Sequence, residues 1–111
     1  MIKTVNRGYI YVQPKQAFCD WAKQHDTDFD FNEEDDLEGS VYLIEEDFFE
    51  YEPVLEANFK KILKSECEAV SDEEIELPKL TLEQFLEWFE VKIGSTVFDT
   101  LIKKDLLSES N

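Results

Sequence analysis

The stretch Leu80–Asp99, LTLEQFLEWFEVKIGSTVFD, changes its hydrophobic period part-way along. Leu82, Phe85, Leu86 and Phe89 recur at helical spacing. From Phe89 onward Phe89, Val91, Ile93, Ser95 and Val97 alternate with residues that are often polar, which is the period of a strand. Thr81 stands as an N-cap with Gln84 three residues later, a capping box, and Leu80 and Phe85 hold the two positions of a hydrophobic staple. The pattern predicts a short capped helix running directly into a strand.

Other segments read by the same periods. Residues 5–13, VNRGYIYVQ, are rich in β-branched and aromatic residues and predict a first strand, with Val5, Arg7, Tyr9 and Tyr11 on one face. Pro14 suits the first turn of a helix, which is expected to run to about residue 25 with Phe18, Trp21, Ala22 and His25 in its stripe. Residues 41–46, VYLIEE, form a short apolar run that predicts a strand buried on both faces. A longer helix is expected from about Pro53 to Val70, with Leu55, Phe59, Ile62, Leu63 and Val70 as its apolar stripe. Glu66 falls inside that stripe, so either the helix turns there or this long side chain reaches past the edge to water. Ser71 to Glu74 forms another capping box that Pro78 cuts short, residues 101–107 predict a last short helix, and residues 108–111 a frayed tail. Residues 1–111 read as one domain without repeat or linker. Helices and strands in this order predict an α+β fold, a two-layer sandwich in which a small three- to four-stranded sheet is covered mainly on one face by about three helices.

Charge changes the picture more than composition does. The 111 residues are 42% hydrophobic and 14% aromatic, enough for a packed core despite a net charge of −16. Residues 25–59 hold 14 carboxylates and no Lys or Arg. Residues 26–38, DTDFDFNEEDDLE, predict an exposed acidic loop with Phe29, Phe31 and Leu37 as anchors; a second acidic patch, Glu45 to Glu52, is broken by Phe48, Phe49 and Tyr51. Such a middle repels nucleic-acid phosphates and anionic membranes and attracts basic protein surfaces. Asp26, Asp28, Asp30, Asn32 and Glu34 fall at positions 1, 3, 5, 7 and 9 of a calcium-type loop, but Phe31 replaces the glycine of position 6 and Leu37 the bidentate Glu of position 12. No metal site is expected.

Little else carries chemistry. One histidine and two distant cysteines, Cys19 and Cys67, offer no CxxC or HExxH spacing, and no glycine-rich phosphate loop or nucleophile motif occurs; no cofactor and no catalytic residue are expected. No segment resembles a signal peptide or a membrane span, and with the sparse cysteines a reducing cytoplasm is expected. Arg7, the only arginine, reads three ways: an exposed strand residue, the partner of a carboxylate such as Asp20 or Asp99, or the anchor of an anionic ligand.

Three patches taken together resemble a group of small acidic bacterial proteins of no established activity. They are Arg7 with Pro14-Lys15-Gln16, Phe18 and Asp20-Trp21; Val41-Tyr42-Leu43-Ile44; and Glu87-Trp88-Phe89 with Ser95, Val97 and Asp99. The resemblance implies a bacterial cytoplasmic setting and assigns no catalytic residue.

Two functions from different classes follow. The first is a non-enzymatic acidic interaction module that docks a basic protein through Asp28, Asp30, Glu33, Glu34, Asp35, Asp36, Glu45, Glu46 and Asp47, with neighbouring aromatic residues supplying contact area. The alternative is a small-ligand-binding or enzymatic domain with its site near Arg7, Asp20, Ser95 and Asp99. The chain is expected to be a monomer or a weak homodimer, because dense like charge opposes close approach of identical sheet edges.

Overall fold

The computed structural model describes residues 2–25, 29–35, 37–45, 48–70 and 80–101. The chain order is β1 (Lys3–Val5), β2 (Gly8–Pro14), α1 (Gln16–His25), a 3₁₀ turn (Glu33–Asp35), β3 (Ser40–Ile44), α2 (Tyr51–Glu68), α3 (Leu82–Trp88), β4 (Phe89–Gly94) and β5 (Val97–Asp99). The fold is α+β, with three α-helices and two small antiparallel sheets among the described residues. The larger sheet has the order β3-β2-β4, and β1 pairs with β5 in a separate ribbon.

The expected first strand is interrupted. Val5 pairs with Val97 and Tyr9 with Gly94, so three residues of one segment oppose two of the other. This mismatch breaks the ladder at Asn6–Gly8 and Ser95–Thr96 and separates the two sheets. Pro14 closes β2 opposite Phe89 rather than opening the helix; α1 begins two residues later, with Lys15 tied to the end of α3 by its N–H on the Trp88 carbonyl at 2.8 Å.

Along β2 the side chains alternate strictly. Gly8, Ile10, Val12 and Pro14 are buried, while Tyr9, Tyr11 and Gln13 are half-exposed on the opposite face. All three helices lie over the first face. Phe18 of α1, Phe59, Ile62, Leu63 and Cys67 of α2, and Phe85 and Trp88 of α3 join Ile10, Val12, Ile44 and Phe89 in one core. Trp88 meets Phe18 edge-on at 5.7 Å, and Phe85 lies against Phe89 at 5.5 Å.

The capped helix forms as its sequence dictates. Thr81 Oγ1 accepts from the Gln84 N–H at 3.1 Å, and Phe85 is fully buried with Leu80 packed against the core. At Phe89 the backbone turns extended (φ −133°, ψ 141°), where the hydrophobic period changes. At the start of α2, Pro53 sits in the first turn, where its missing N–H costs no intrahelical bond. Glu66 is half-buried and receives hydrogen bonds from Ser40 Oγ (3.3 Å) and the Tyr42 hydroxyl, so it fastens α2 to β3.

One strand departs from expectation. β3 is buried on one face only: Val41 is 61% and Leu43 48% exposed. The reason is its place at the end of the sheet, with helices over one face and, among the described residues, none over the other. The expected helix at 101–107, the tail at 108–111 and the turn near Ser71 fall outside the described residues, apart from Leu101.

Candidate functional site

The uncovered face of the sheet changes character from one side to the other. The register stacks Leu43–Tyr9–Gly94 and Val41–Tyr11–Lys92 across it, with Gln13 opposite Glu90 beyond. It is therefore aliphatic at β3, aromatic along β2 and charged at β4. The tyrosine rings lie over glycines: a Cβ on Gly94 would come within 2.4 Å of the Tyr9 ring, and one on Gly39 within 2.5 Å of Tyr11. The Tyr11 hydroxyl donates to Gln13 Oε1, and Gln13 Nε2 donates to the Leu37 carbonyl, which fixes the chain entering β3.

Beyond the Ile44 end of β3 an open groove of about 1070 Å³ runs toward the first turns of α2. Leu43, Ile44, Phe48, Phe49, Pro53, Val54 and Ala57 line it, together with Glu45, Glu50, Asn58, Arg7 and Lys61. Phe49 is fully exposed and Tyr51, at the start of α2, is exposed as well. Glu38, Glu45, Glu50 and Glu52 are exposed around them. Residues 38–52 thus combine exposed large apolar side chains with exposed carboxylates, and their sequence contains no base.

The acidic loop serves partly as structure. Gln16 N–H donates to Glu33 Oε2 at 3.1 Å and Glu33 N–H returns a bond to Gln16 Oε1 at 3.0 Å, so Glu33 satisfies an orphan donor at the start of α1. Gln16 Nε2 reaches Asn32 Oδ1 at 3.0 Å, and Lys23 also donates to that oxygen. Asp35 Oδ2 accepts from the Asn32 N–H at 2.6 Å. Of the carboxylates expected to meet a partner, Asp30, Glu33, Glu34, Asp35 and Glu45 are exposed; Asp28, Asp36, Glu46 and Asp47 lie outside the described residues, as does Asp26. Exposed carboxylates also stand on α1, α2, α3 and β4, so the acidity is not confined to one element.

The residues of the alternative site are dispersed. Arg7 lines the groove, exposed, with its guanidinium on the Asn6 carbonyl at 2.7 Å. Ser95 is exposed across the ladder break, Asp99 faces Lys3 at 3.8 Å, and Asp20 on α1 accepts from Gln16 at 2.9 Å. None of Asp20, Ser95 and Asp99 lines the groove that holds Arg7.

The thiols offer no ready nucleophile. Cys19 and Cys67 are free and fully buried. Burial pushes both upward, Cys67 to about 12 with help from the charges of Glu66 and Glu68, so each is held as a neutral thiol. Burial and the bond to Glu66 likewise raise the Tyr42 hydroxyl well above its ordinary range. His25 stacks on Trp21 at 4.4 Å, with Nδ1 2.9 Å from the Trp21 carbonyl oxygen. Among the described residues no group of three or more His, Cys, Asp or Glu side chains could hold a metal ion, and no helix is long and apolar enough to cross a membrane.

No family model, curated protein or solved structure matches this chain.

The exposure of Val41 and Leu43 is the feature that sequence reading missed. An apolar run carries no mark of which face is uncovered; only the strand's position in the sheet decides that.

Proposed function

We propose that the chain is a non-enzymatic docking module for a basic protein surface. The observation that carries this reading is the combination found in residues 38–52. Val41, Leu43, Phe49 and Tyr51 offer exposed apolar contact area, and Glu38, Glu45, Glu50 and Glu52 surround them with negative charge. Desolvated aliphatic and aromatic side chains supply binding energy, while a charged rim selects the partner's sign and speeds encounter. An immunity- or antitoxin-like role in a bacterial cytoplasm is one form such a module takes.

The test is affinity capture from bacterial lysate with the wild-type chain and with Glu38→Gln, Glu45→Gln, Glu50→Gln and Glu52→Gln combined. Basic proteins are expected on the wild type at low salt, released at about 0.5 M salt where exposed charges are screened, and absent from the variant. Capture that ignores both salt and the four substitutions contradicts the proposal.

A second reading rests on Arg7, which lines the groove beside apolar side chains and Lys61. There the groove takes a small amphipathic anion, with the guanidinium as its anchor. Ligand-observed NMR with alkyl carboxylates separates the two: binding that disappears in Arg7→Ala supports the small ligand, and no binding in the wild type removes it.

A further inference from the structure

The two edges of the larger sheet are built differently, and only one resists another strand. β4 carries exposed Glu90 and Lys92 on its uncovered face, the charged alternation that keeps edges from pairing. β3 has no charge and no proline anywhere from Ser40 to Ile44, and its uncovered side chains are Val41 and Leu43. Among the described residues β3 pairs with β2 alone, which leaves its outer row of backbone donors and acceptors without a strand partner.

We infer that the outer edge of β3 accepts an extended, basic segment of a partner protein as a fourth strand. The inference deepens the docking function proposed above and rests on it. Charge identifies the occupant: exposed Glu38 and Glu45 bracket the strand, inside a stretch of 35 residues (25–59) that holds 14 carboxylates and no Lys or Arg. A second copy would bring the same acidic edge against itself, so like charge opposes homodimer pairing. Main-chain hydrogen bonds provide the affinity of such an added strand, and every second side chain reads the face beside it, here Val41 and Leu43. Arg7 and Lys61 line the groove at the Ile44 end, so the segment's basic residues belong at the Glu38 end.

The experiment uses the full chain and a fluorescent peptide of alternating lysine and valine, about nine residues long to span a strand of this size, with a control N-methylated at every residue so that neither of its edges can donate. Anisotropy is expected to show about 30-fold tighter binding of the unmethylated peptide, the worth of two hydrogen bonds. Amide exchange at residues 40–44 should slow when it binds, and Val41→Lys should abolish the difference between peptides. Equal binding of both peptides with unchanged exchange at 40–44 overturns strand addition and leaves charge-driven docking standing. Absence of salt-sensitive binding by either peptide overturns docking itself. Protected amides at 40–44 in a peptide-free protein that sediments as a dimer assign the edge to a second copy and also overturn the inference.

Discussion

β3 and β4 flank the same central strand, pair with it antiparallel, and share the same core beneath, yet they meet solvent in opposite ways. At β4 the residues beside Tyr11 and Gln13 are Lys92 and Glu90; at β3 the residues beside Tyr11 and Tyr9 are Val41 and Leu43. Their covered faces both pack on the helices, β4 through Phe89, Val91 and Ile93 and β3 through Ile44 and Tyr42, so core packing does not require the difference on the other face. The net charge of −16 resides in the flanks of β3 and elsewhere on the surface, but no charge stands in the strand itself. A protein this acidic gains nothing in solubility from two exposed aliphatic side chains on an open edge, and the proposed docking rests on that contrast between β3 and β4.

The strongest test of their common footing removes the core beneath both. Phe85 is fully buried and touches Phe59 of α2 and Phe89 of β4. Phe85→Ala is expected to cost about 4 kcal/mol, combining lost burial with a cavity. Urea denaturation followed by tryptophan fluorescence reads the loss, and amides of β3 and β4 should lose protection together. Loss confined to one edge would show that the two strands do not share a cooperative core.

Glycines beneath the tyrosines come next. At Gly39 an added Cβ would lie 2.4 Å from the Val12 carbonyl oxygen as well as against Tyr11, so backbone must move. At Gly94 its three nearest atoms all belong to the Tyr9 ring, which can swing aside. Gly39→Ala is expected to cost about 3 kcal/mol and Gly94→Ala about 1 kcal/mol, by the penalties of overpacking. The reverse order of melting temperatures would mean that the entry to β3 is looser than its contacts imply.

Alkaline pH acts on the β3 side. Tyr42 is raised above its ordinary range by burial and by its bond to Glu66, while β4, FEVKIG, has no tyrosine. Cys67 on α2 is raised to about 12 by burial. Groups raised in the folded state keep their protons while the unfolded chain gives them up. Their stabilisation is therefore complete below the unfolded values and falls as pH rises from about 9 toward 12, by up to about 1.4 kcal/mol per pH unit for each group. Urea midpoints measured upward from pH 8 should decline accordingly. Tyr42→Phe should flatten the part that begins near pH 10 and leave the part due to the two buried thiols, Cys67 and Cys19.

These cases also show what the amino-acid pattern reveals and where it stops. The change of period at Phe89, the Thr81 cap and the burial of Phe85 are local or set by one contact layer, so they are legible from Leu80–Asp99 alone. The ladder break at Asn6–Gly8 is not, because it arises from a count of residues in two segments more than 80 positions apart in sequence. Glu66, expected at a turn of the helix or reaching past its edge to water, is instead held half-buried by Ser40 and Tyr42, which only the fold brings opposite it. Carboxylates were plain to see, but which of them merely cap or brace, as Glu33 and Asp35 do, depends on what the fold brings beside them. Val41–Ile44 misled for the same reason: hydrophobicity indicates that a strand packs, not how many of its faces are covered.

Exchanging the character of the two edges has the smallest expected effect on stability and the sharpest on binding. Val41→Lys alters one exposed side chain, and Glu90→Thr with Lys92→Val alters two, while the paired change leaves the net charge at −16. Each variant should stay within about 0.5 kcal/mol of wild type, because no buried contact changes. Binding should divide them. With its edge charged, β3 loses the lysine–valine peptide. With Glu90 and Lys92 gone, β4 presents an uncharged edge of its own, preceded by exposed Glu87 as β3 is by Glu38. Titration calorimetry should then report two equivalents of peptide for the β4 variant, one for wild type and none for Val41→Lys. A β4 variant that still binds one equivalent shows that removing charge does not suffice to open an edge, and that β3 owes its capacity to the acidic flanks on both of its sides.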